Sequence, residues 1–568
     1  MRSTRPSRRD LFAAAAALGI GSSTFHRAVA SEANAAADPV TVTPEMIKNA
    51  EWVAGVELTE DQRKQLARAM TRVLADFAAL HKVEVGNNIP PAIHFLPAAL
   101  APALAKVVPQ PLPGTLAGPA GKDVDKPGTE EDLAFLPLHS LAQLLRSKKV
   151  TSTELTNLYL ARLKKYDAAL KCVVTFTDEL ALKQAAEADK EIAAGKYRGP
   201  LHGIPWVAKD LIGYPGYKTT WGAGHYKDQT IDEKATVAAR LDASGAVLAA
   251  KVTLGALAMG DGWFGGMTRN PWNVKQGSSG SSAGTAASVS AGLIGFGIGS
   301  ETLGSIVSPC TRCGVTGLRP TFGRVSRHGC MALSWSMDKL GPIARSVQDC
   351  ALVFQAIHGA DGKDLAATDH PFEWPLRKSL KDMRVGYVEG KAGLDERAEL
   401  KVLKELGVTL VPITLPNKLP LGALQVILTV EASAAFDDIT RAGVSEGIGT
   451  WPDTFRRGRF VPAVEYLRAQ RVRTLLMQEM AKVMDGVDLY VGGNDLLITN
   501  LTGHPTVVMP NGLRKGKAIE TPFAITFTGR LWGESELLAV AMAYQEATGH
   551  HLKRPDMSKV TKEIAEGK

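Results

Sequence analysis

The stretch Gln276-Gly277-Ser278-Ser279-Gly280-Ser281-Ser282-Ala283-Gly284-Thr285 decides how this chain is read. By composition alone it is a flexible Gly/Ser linker. Its flanks argue otherwise. Arg269-Asn270-Pro271-Trp272-Asn273 precedes it, and an Ala/Val/Gly stretch of helical character runs on to Gly292. A second small-residue segment follows, Gly295-Phe296-Gly297-Ile298-Gly299-Ser300-Glu301-Thr302-Leu303-Gly304-Ser305-Ile306. A linker needs neither flank. Two neighbouring segments of small residues suit close backbone approach, and with it a site built from peptide N–H groups.

Two local motifs compete for this region. Gly280-Ser281-Ser282-Ala283-Gly284 fits the Gly-x-Ser-x-Gly nucleophile elbow, with Ser282 as nucleophile. That motif needs a strand just before it, and Asn273-Val274-Lys275-Gln276 does not read as one. Gly295-x-Gly297-x-Gly299 has the wrong spacing for a Gly-x-Gly-x-x-Gly dinucleotide loop.

Working outward, strand-like runs lie at Leu170–Phe176, Ile204–Ala208, Ala246–Val252, Arg384–Val388 and Val408–Ile413. Helical patterns separate several of them, including a polar-faced one over Glu179–Ala194, and the alternation predicts an α/β sheet domain. Thr43-Pro44 reads as an N-cap followed by proline at the first helical position. Thr59-Glu60-Asp61-Gln62 and Thr151-Ser152-Thr153-Glu154 read as capping boxes. Leu66, Met70, Val73, Phe77 and Leu80 follow the first at helical spacing, and Leu155, Leu158, Tyr159 and Leu163 follow the second. Residues 107–130, rich in Pro, Gly and Asp, read as a linker or long loop. No internal repeat stands out.

The 568 residues are 45% hydrophobic and 22% charged, enough apolar material for a large core and incompatible with general disorder. Five cysteines in this length exclude a disulfide-knit scaffold. The net charge of +8 invites a nucleic-acid reading, but half of it lies in residues 1–30, where Arg2, Arg5, Arg8, Arg9 and Arg27 face only Asp10. Ser7-Arg8-Arg9-Asp10-Leu11-Phe12 matches a twin-arginine motif. A short apolar run from Ala13 to Ile20 and a small-x-small site at Ala28-Val29-Ala30 follow in the order of an export signal. The expectation is a periplasmic or secreted protein, folded before export, with no membrane attachment after cleavage and no nucleic-acid partner.

Taken together, the segments resemble the amidase signature family. His202-Gly203-Ile204-Pro205-Trp206-Val207-Ala208-Lys209-Asp210 is similar to its lysine motif, Ser281-Ser282 with the following small-residue helix to its Gly/Ser signature, and Glu301-Thr302-Leu303-Gly304-Ser305-Ile306 to its nucleophile segment. The intervals agree: 72 residues separate Lys209 from Ser281, and 24 separate Ser281 from Ser305. The match continues through Cys313–Thr321, Gly323–Ser326, Met337–Pro342 and Asn500–Pro505, covering roughly residues 138–552.

The resemblance implies a single large α/β domain with a central mixed sheet flanked by helices, over residues 136–568. A helical appendage and linker (31–135) and the signal (1–30) precede it. It implies a serine acyl-transfer amidase with Ser305 as nucleophile, Ser281, after a cis Gly280–Ser281 bond, as proton relay, and Lys209 as base. Ser279 is the fallback for Ser281. Backbone N–H groups of Thr302, Leu303, Gly304 and Ser305 would hold the oxyanion. The scheme needs no cofactor and no metal. The substrate is a small-molecule carboxamide, or an aryl or alkyl amide or ester, handled by a monomer or homodimer.

The chain departs from the family pattern at Glu301 and Leu303, where Asp and Gly are frequent, and at Val307, where an arginine is usual. An apolar residue at 307 points to a neutral substrate and away from an acidic one. Two rival functions follow: the A-type component of a glutamyl-tRNA(Gln) amidotransferase, and a non-catalytic binding protein that keeps the fold. Cys310-x-x-Cys313 lacks the second ligand pair a zinc site needs, although export would permit a disulfide. His550-His551 reads as surface.

Overall fold

The computed structural model describes residues 41–85, 92–93, 124–389, 397–493, 495–514 and 519–565. The proposed signal at 1–30 and most of the linker lie outside them. The described residues form two compact units that do not part at a single point in the sequence. Residues 41–85 group with Pro420–Val444 and Pro452–Val472. The second unit holds the rest, so the expected boundary near residue 135 is not where the units divide.

The first unit is helical. Helix α1 (Pro44–Ala54) begins as expected, with Thr43 accepting the Met46 N–H and proline at the first turn. Helix α2 (Glu60–His81) starts with a complete capping box: the Thr59 hydroxyl accepts the Gln62 N–H while the Gln62 side chain accepts the Thr59 N–H. Leu66 and Met70 join Ile47, Leu58 and Ala67 in a small core, with Val73 and Phe460 packed against it. Arg459 donates to the Ala54 carbonyl at 2.6 Å and Arg468 to the Leu80 carbonyl at 3.1 Å, which ties both helix ends to the 452–472 segment.

The second unit is built on one mixed sheet of eleven strands. In chain order these are β1 (Val173–Phe176), β2 (Pro205–Lys209), β3 (Val247–Val252), β4 (Phe296–Glu301), β5 (Thr316–Arg319), β6 (Lys339–Ala344), β7 (Arg384–Val388), β8 (Thr409–Ile413), β9 (Leu489–Val491), β10 (Thr506–Arg514) and β11 (Thr521–Gly529). Across the sheet they run β1-β3-β2-β4-β6-β5-β10-β11-β9-β7-β8. Strand β2 is parallel to both neighbours, with Lys209 opposite Val252 and Ala208 opposite Ile298. Its residues are all buried, as befits an apolar run covered on both faces.

Two local expectations shift. Helix α3 (Ser152–Leu170) is capped by Thr151, but the Glu154 carboxylate pairs with Lys126 instead of closing the box. The run from Leu170 is not all strand: Leu170 ends α3, Lys171 turns the chain at φ +48°, and β1 starts at Val173.

Candidate active site

Residues far apart in sequence meet where β2 and β4 end. Lys209 is the last residue of β2, so its side chain leaves the sheet among buried neighbours. Its Nζ lies 2.8 Å from Ser281 Oγ, 2.8 Å from Ser300 Oγ, 3.1 Å from Ser282 Oγ and 3.3 Å from the Ser300 carbonyl. Among the described residues no carboxylate stands within ion-pair distance of it. The adjacent Asp210 is spoken for: it pairs with the equally buried Lys251 at 2.8 Å and accepts the Thr220 N–H and hydroxyl. Burial therefore pulls the Lys209 pKa from 10.5 to about 7, against the weaker opposing pull of Asp338 and Glu301. An amine in this state is available as a base near neutrality.

The Gly/Ser stretch is rigidly placed. The Gly280–Ser281 bond is cis, as the resemblance implied. A Cβ on Gly280 would lie 1.8 Å from the Gly260 carbonyl oxygen, so only glycine fits there. Ser281 is buried and directed at Lys209; Ser279 makes no contact with Lys209 and instead gives its N–H to Asp261. Helix α4 (Ala283–Ser290) follows. Asn273–Gly277 is a short strand after all, paired with Arg269–Asn270. The nucleophile-elbow reading fails for another reason: Ser282 Oγ is fully buried, donates to the Ser300 carbonyl and accepts the Ser300 N–H. An elbow serine must be open to substrate.

The second small-residue segment forms β4 and the turn after it. Ser305 precedes helix α5 (Val307–Cys313), and its carbonyl accepts the Ser282 N–H at 3.1 Å, joining the two segments. The backbone N–H groups of Thr302, Leu303, Gly304 and Ser305 find no acceptor among the described residues. Gly304 supplies the positive φ of this turn, +88°, so Leu303 can replace the usual glycine without entering the left-handed region. Four successive donors without acceptors beside a serine hydroxyl are free to bind an anion.

Glu301, noted above only as a departure, organises that turn. One carboxylate oxygen accepts the Ile306 and Val307 N–H groups at 2.8 and 3.0 Å; the other accepts Arg319 at 2.7 Å and Asn500 at 2.8 Å. Burial alone would raise its pKa, but Arg319, Lys339 and these hydrogen bonds hold it down to about 2. On the opposite side, the Thr302 hydroxyl donates to Asp338 at 2.5 Å, and Asp338 also accepts the Leu333 and Ser334 N–H groups. Sequence reasoning missed Ser282 and Ser300 as lysine partners. Their adjacency to Ser281 and Glu301 was the available signal, but which hydroxyl reaches Nζ depends on the pleat and the cis bond.

All five cysteines are free thiols; Cys310 and Cys313 are buried in α5. Among the described residues no cluster of His, Cys, Asp and Glu could hold a metal ion, and no helix is long and apolar enough to cross a membrane.

A family model described as Amidase matches residues 154–493. The chain belongs to the amidase family. The A component of the glutamyl-tRNA(Gln) amidotransferase of Marinomonas sp. (strain MWYL1) is 34% identical over 484 residues, covering 74% of this chain and 99% of that protein. Its counterpart in Roseiflexus sp. (strain RS-1) is 33% identical over 74% of this chain and 98% of its own. Among solved structures, the peptide amidase from Stenotrophomonas maltophilia superposes with a TM-score of 0.66 at 29% identity, over 74% of this chain and 98% of that one. The chain is thus an amidase-family enzyme acting on an amide C–N bond, as a hydrolase or an amidotransferase.

Proposed function

We propose that this amidase is an exported hydrolase of small amides that works through an acyl-enzyme on Ser305, with Ser281 and Lys209 as the proton relay. The observation that carries the reading is the buried Lys209 amine, without a carboxylate partner and 2.8 Å from Ser281 Oγ. Ser305 Oγ attacks the amide carbon as its proton passes to Ser281, whose own proton passes to neutral Lys209. The oxyanion rests on the N–H groups of Thr302, Leu303, Gly304 and Ser305. The Lys209 proton returns through Ser281 to the leaving nitrogen, and the amine departs. Water then attacks the Ser305 ester by the same relay and releases the acid.

A fluorophosphonate probe tests the reading. Labelling is expected in the wild type and absent in Ser305→Ala; labelling undiminished in that variant would overturn the assignment. The signal at 1–30 motivates the export proposal, tested by fractionating cells that express the chain with Arg8→Lys and Arg9→Lys. Retention of the variant inside, with the wild type outside, is expected.

The curated relatives favour a second reading, the A-type component of an amidotransferase. Co-purification of partner proteins with tRNA-dependent glutaminase activity would establish it in place of the first.

A further inference from the structure

We propose that Arg312 makes this enzyme selective for amides that carry a carboxylate remote from the scissile bond; the proposal rests on Ser305 being the nucleophile. Two residues after Ser305 stands apolar Val307, yet the cation is not missing from the helix. Ser308 and Arg312, four residues apart on α5, both line an open groove of about 340 Å³. Gly280, next to Ser281, and Ser279 line it too, so the groove borders the Gly/Ser stretch that carries Ser281.

Arg312 is exposed and makes no hydrogen bond or ion pair with any described residue. The arginines that follow it are committed: Arg319 to Glu301, Arg324 to the Pro371 carbonyl, Arg327 to Asp364 and Arg345 to the Leu136 carbonyl. Asp261 also lines the groove. Its Oδ2 accepts the Ser279 N–H at 2.8 Å, which fixes a negative charge beside Gly280. The groove is therefore negative beside Gly280, next to the relay serine, and positive at Arg312 on α5. An anion is repelled at the first place and drawn to the second. At a helical rise of 1.5 Å per residue, the seven residues from Ser305 to Arg312 span roughly 10 Å along the chain, which suits a carboxylate several carbons removed from the amide. A planar guanidinium suits a carboxylate through two parallel hydrogen bonds.

The test compares three p-nitroanilides by nitroaniline release: adipyl, with a distal carboxylate; hexanoyl, its neutral counterpart; and oxalyl, with the carboxylate next to the amide. Adipyl is expected to exceed hexanoyl about tenfold in kcat/KM, through KM, with oxalyl the poorest and the advantage shrinking as salt is raised. In Arg312→Gln the adipyl-to-hexanoyl ratio should fall to about one, and in Arg312→Lys it should be partly kept. Protection of Ser305 from the fluorophosphonate by adipamic acid over hexanamide reads the same preference if no anilide is turned over. Equal use of the pair, or a preference that survives Arg312→Gln, overturns the inference and leaves the amidase reading standing. Neither turnover nor Ser305 labelling in the wild type overturns both.

Discussion

Replacing Lys209 with methionine reads the state of the buried amine through stability as well as activity. The fall of its pKa from 10.5 to about 7 corresponds to about 5 kcal/mol, at ~1.36 kcal/mol for each tenfold change in protonation. The unfolded chain keeps the proton up to pH 10.5, the folded chain only to about 7. Between these values the unfolded state binds more protons, so wild-type stability gains up to about 1.4 kcal/mol per pH unit as pH rises. Below pH 7 both states are protonated and the full cost is present. Methionine carries no proton and lacks this slope. It also loses the contacts with Ser281, Ser282 and Ser300 and leaves their hydroxyls underpaired, which costs about 1–3 kcal/mol. Lys209→Met is therefore expected to be about 3 kcal/mol more stable than wild type at pH 6 and about equal at pH 9. Urea unfolding of both proteins at pH 6, 7.5 and 9 measures this. A difference that stays constant across that range would refute the buried, unpaired amine. The variant should also be inactive, while wild-type kcat/KM rises with pH through an apparent pKa near 7.

Other perturbations probe the supporting groups. Glu301→Gln removes a carboxylate held near pKa 2 instead of its ordinary 4.5, and with it about 3 kcal/mol of stability at neutral pH. In the wild type that contribution is present above pH 4.5 and lost as pH falls toward 2, so unfolding curves at pH 7 and pH 3 should differ more for wild type than for the variant. Gly304→Ala places a Cβ 3.0 Å from Ser308 Oγ at φ +88°; about 1–2 kcal/mol of strain and slower fluorophosphonate labelling of Ser305 are expected. Lys251→Met strands the buried Asp210 charge and should cost about 3–5 kcal/mol in chemical denaturation. Adding Asp210→Leu should recover most of that loss, because the uncompensated charge is then gone.

Much of the architecture could be read from local letters. The Thr59 capping box and the proline after Thr43 set helix starts within a residue, because a cap is a contact between near neighbours. Buried strands such as β2 and β3 announced themselves as apolar runs. One pairing followed from intervals: Lys209 and Ser281 meet across 72 residues. What stayed hidden depends on distant packing or on orientation. Glu154 turned to Lys126 rather than to its own helix end. Glu301 looked like a flaw in a motif, whereas its extra methylene still lets one carboxylate serve Ile306, Val307, Arg319 and Asn500. Nothing near residues 44–81 reveals that their packing partners come from 420–472.

That last pairing sets an order of events in synthesis. Arg468, which donates to the Leu80 carbonyl, lies 388 residues downstream of it. At 5–20 residues per second, α1 and α2 wait on the order of 20–80 s after emerging before their partners exist. During that interval Ile47, Leu58, Leu66 and Met70 can gather with one another, but Phe460, which packs against them, is not yet made. A pause in translation after residue 81, or loss of a chaperone that shields nascent chains, should therefore harm the yield of this protein. A version in which the two helices are made last, by circular permutation, should be spared.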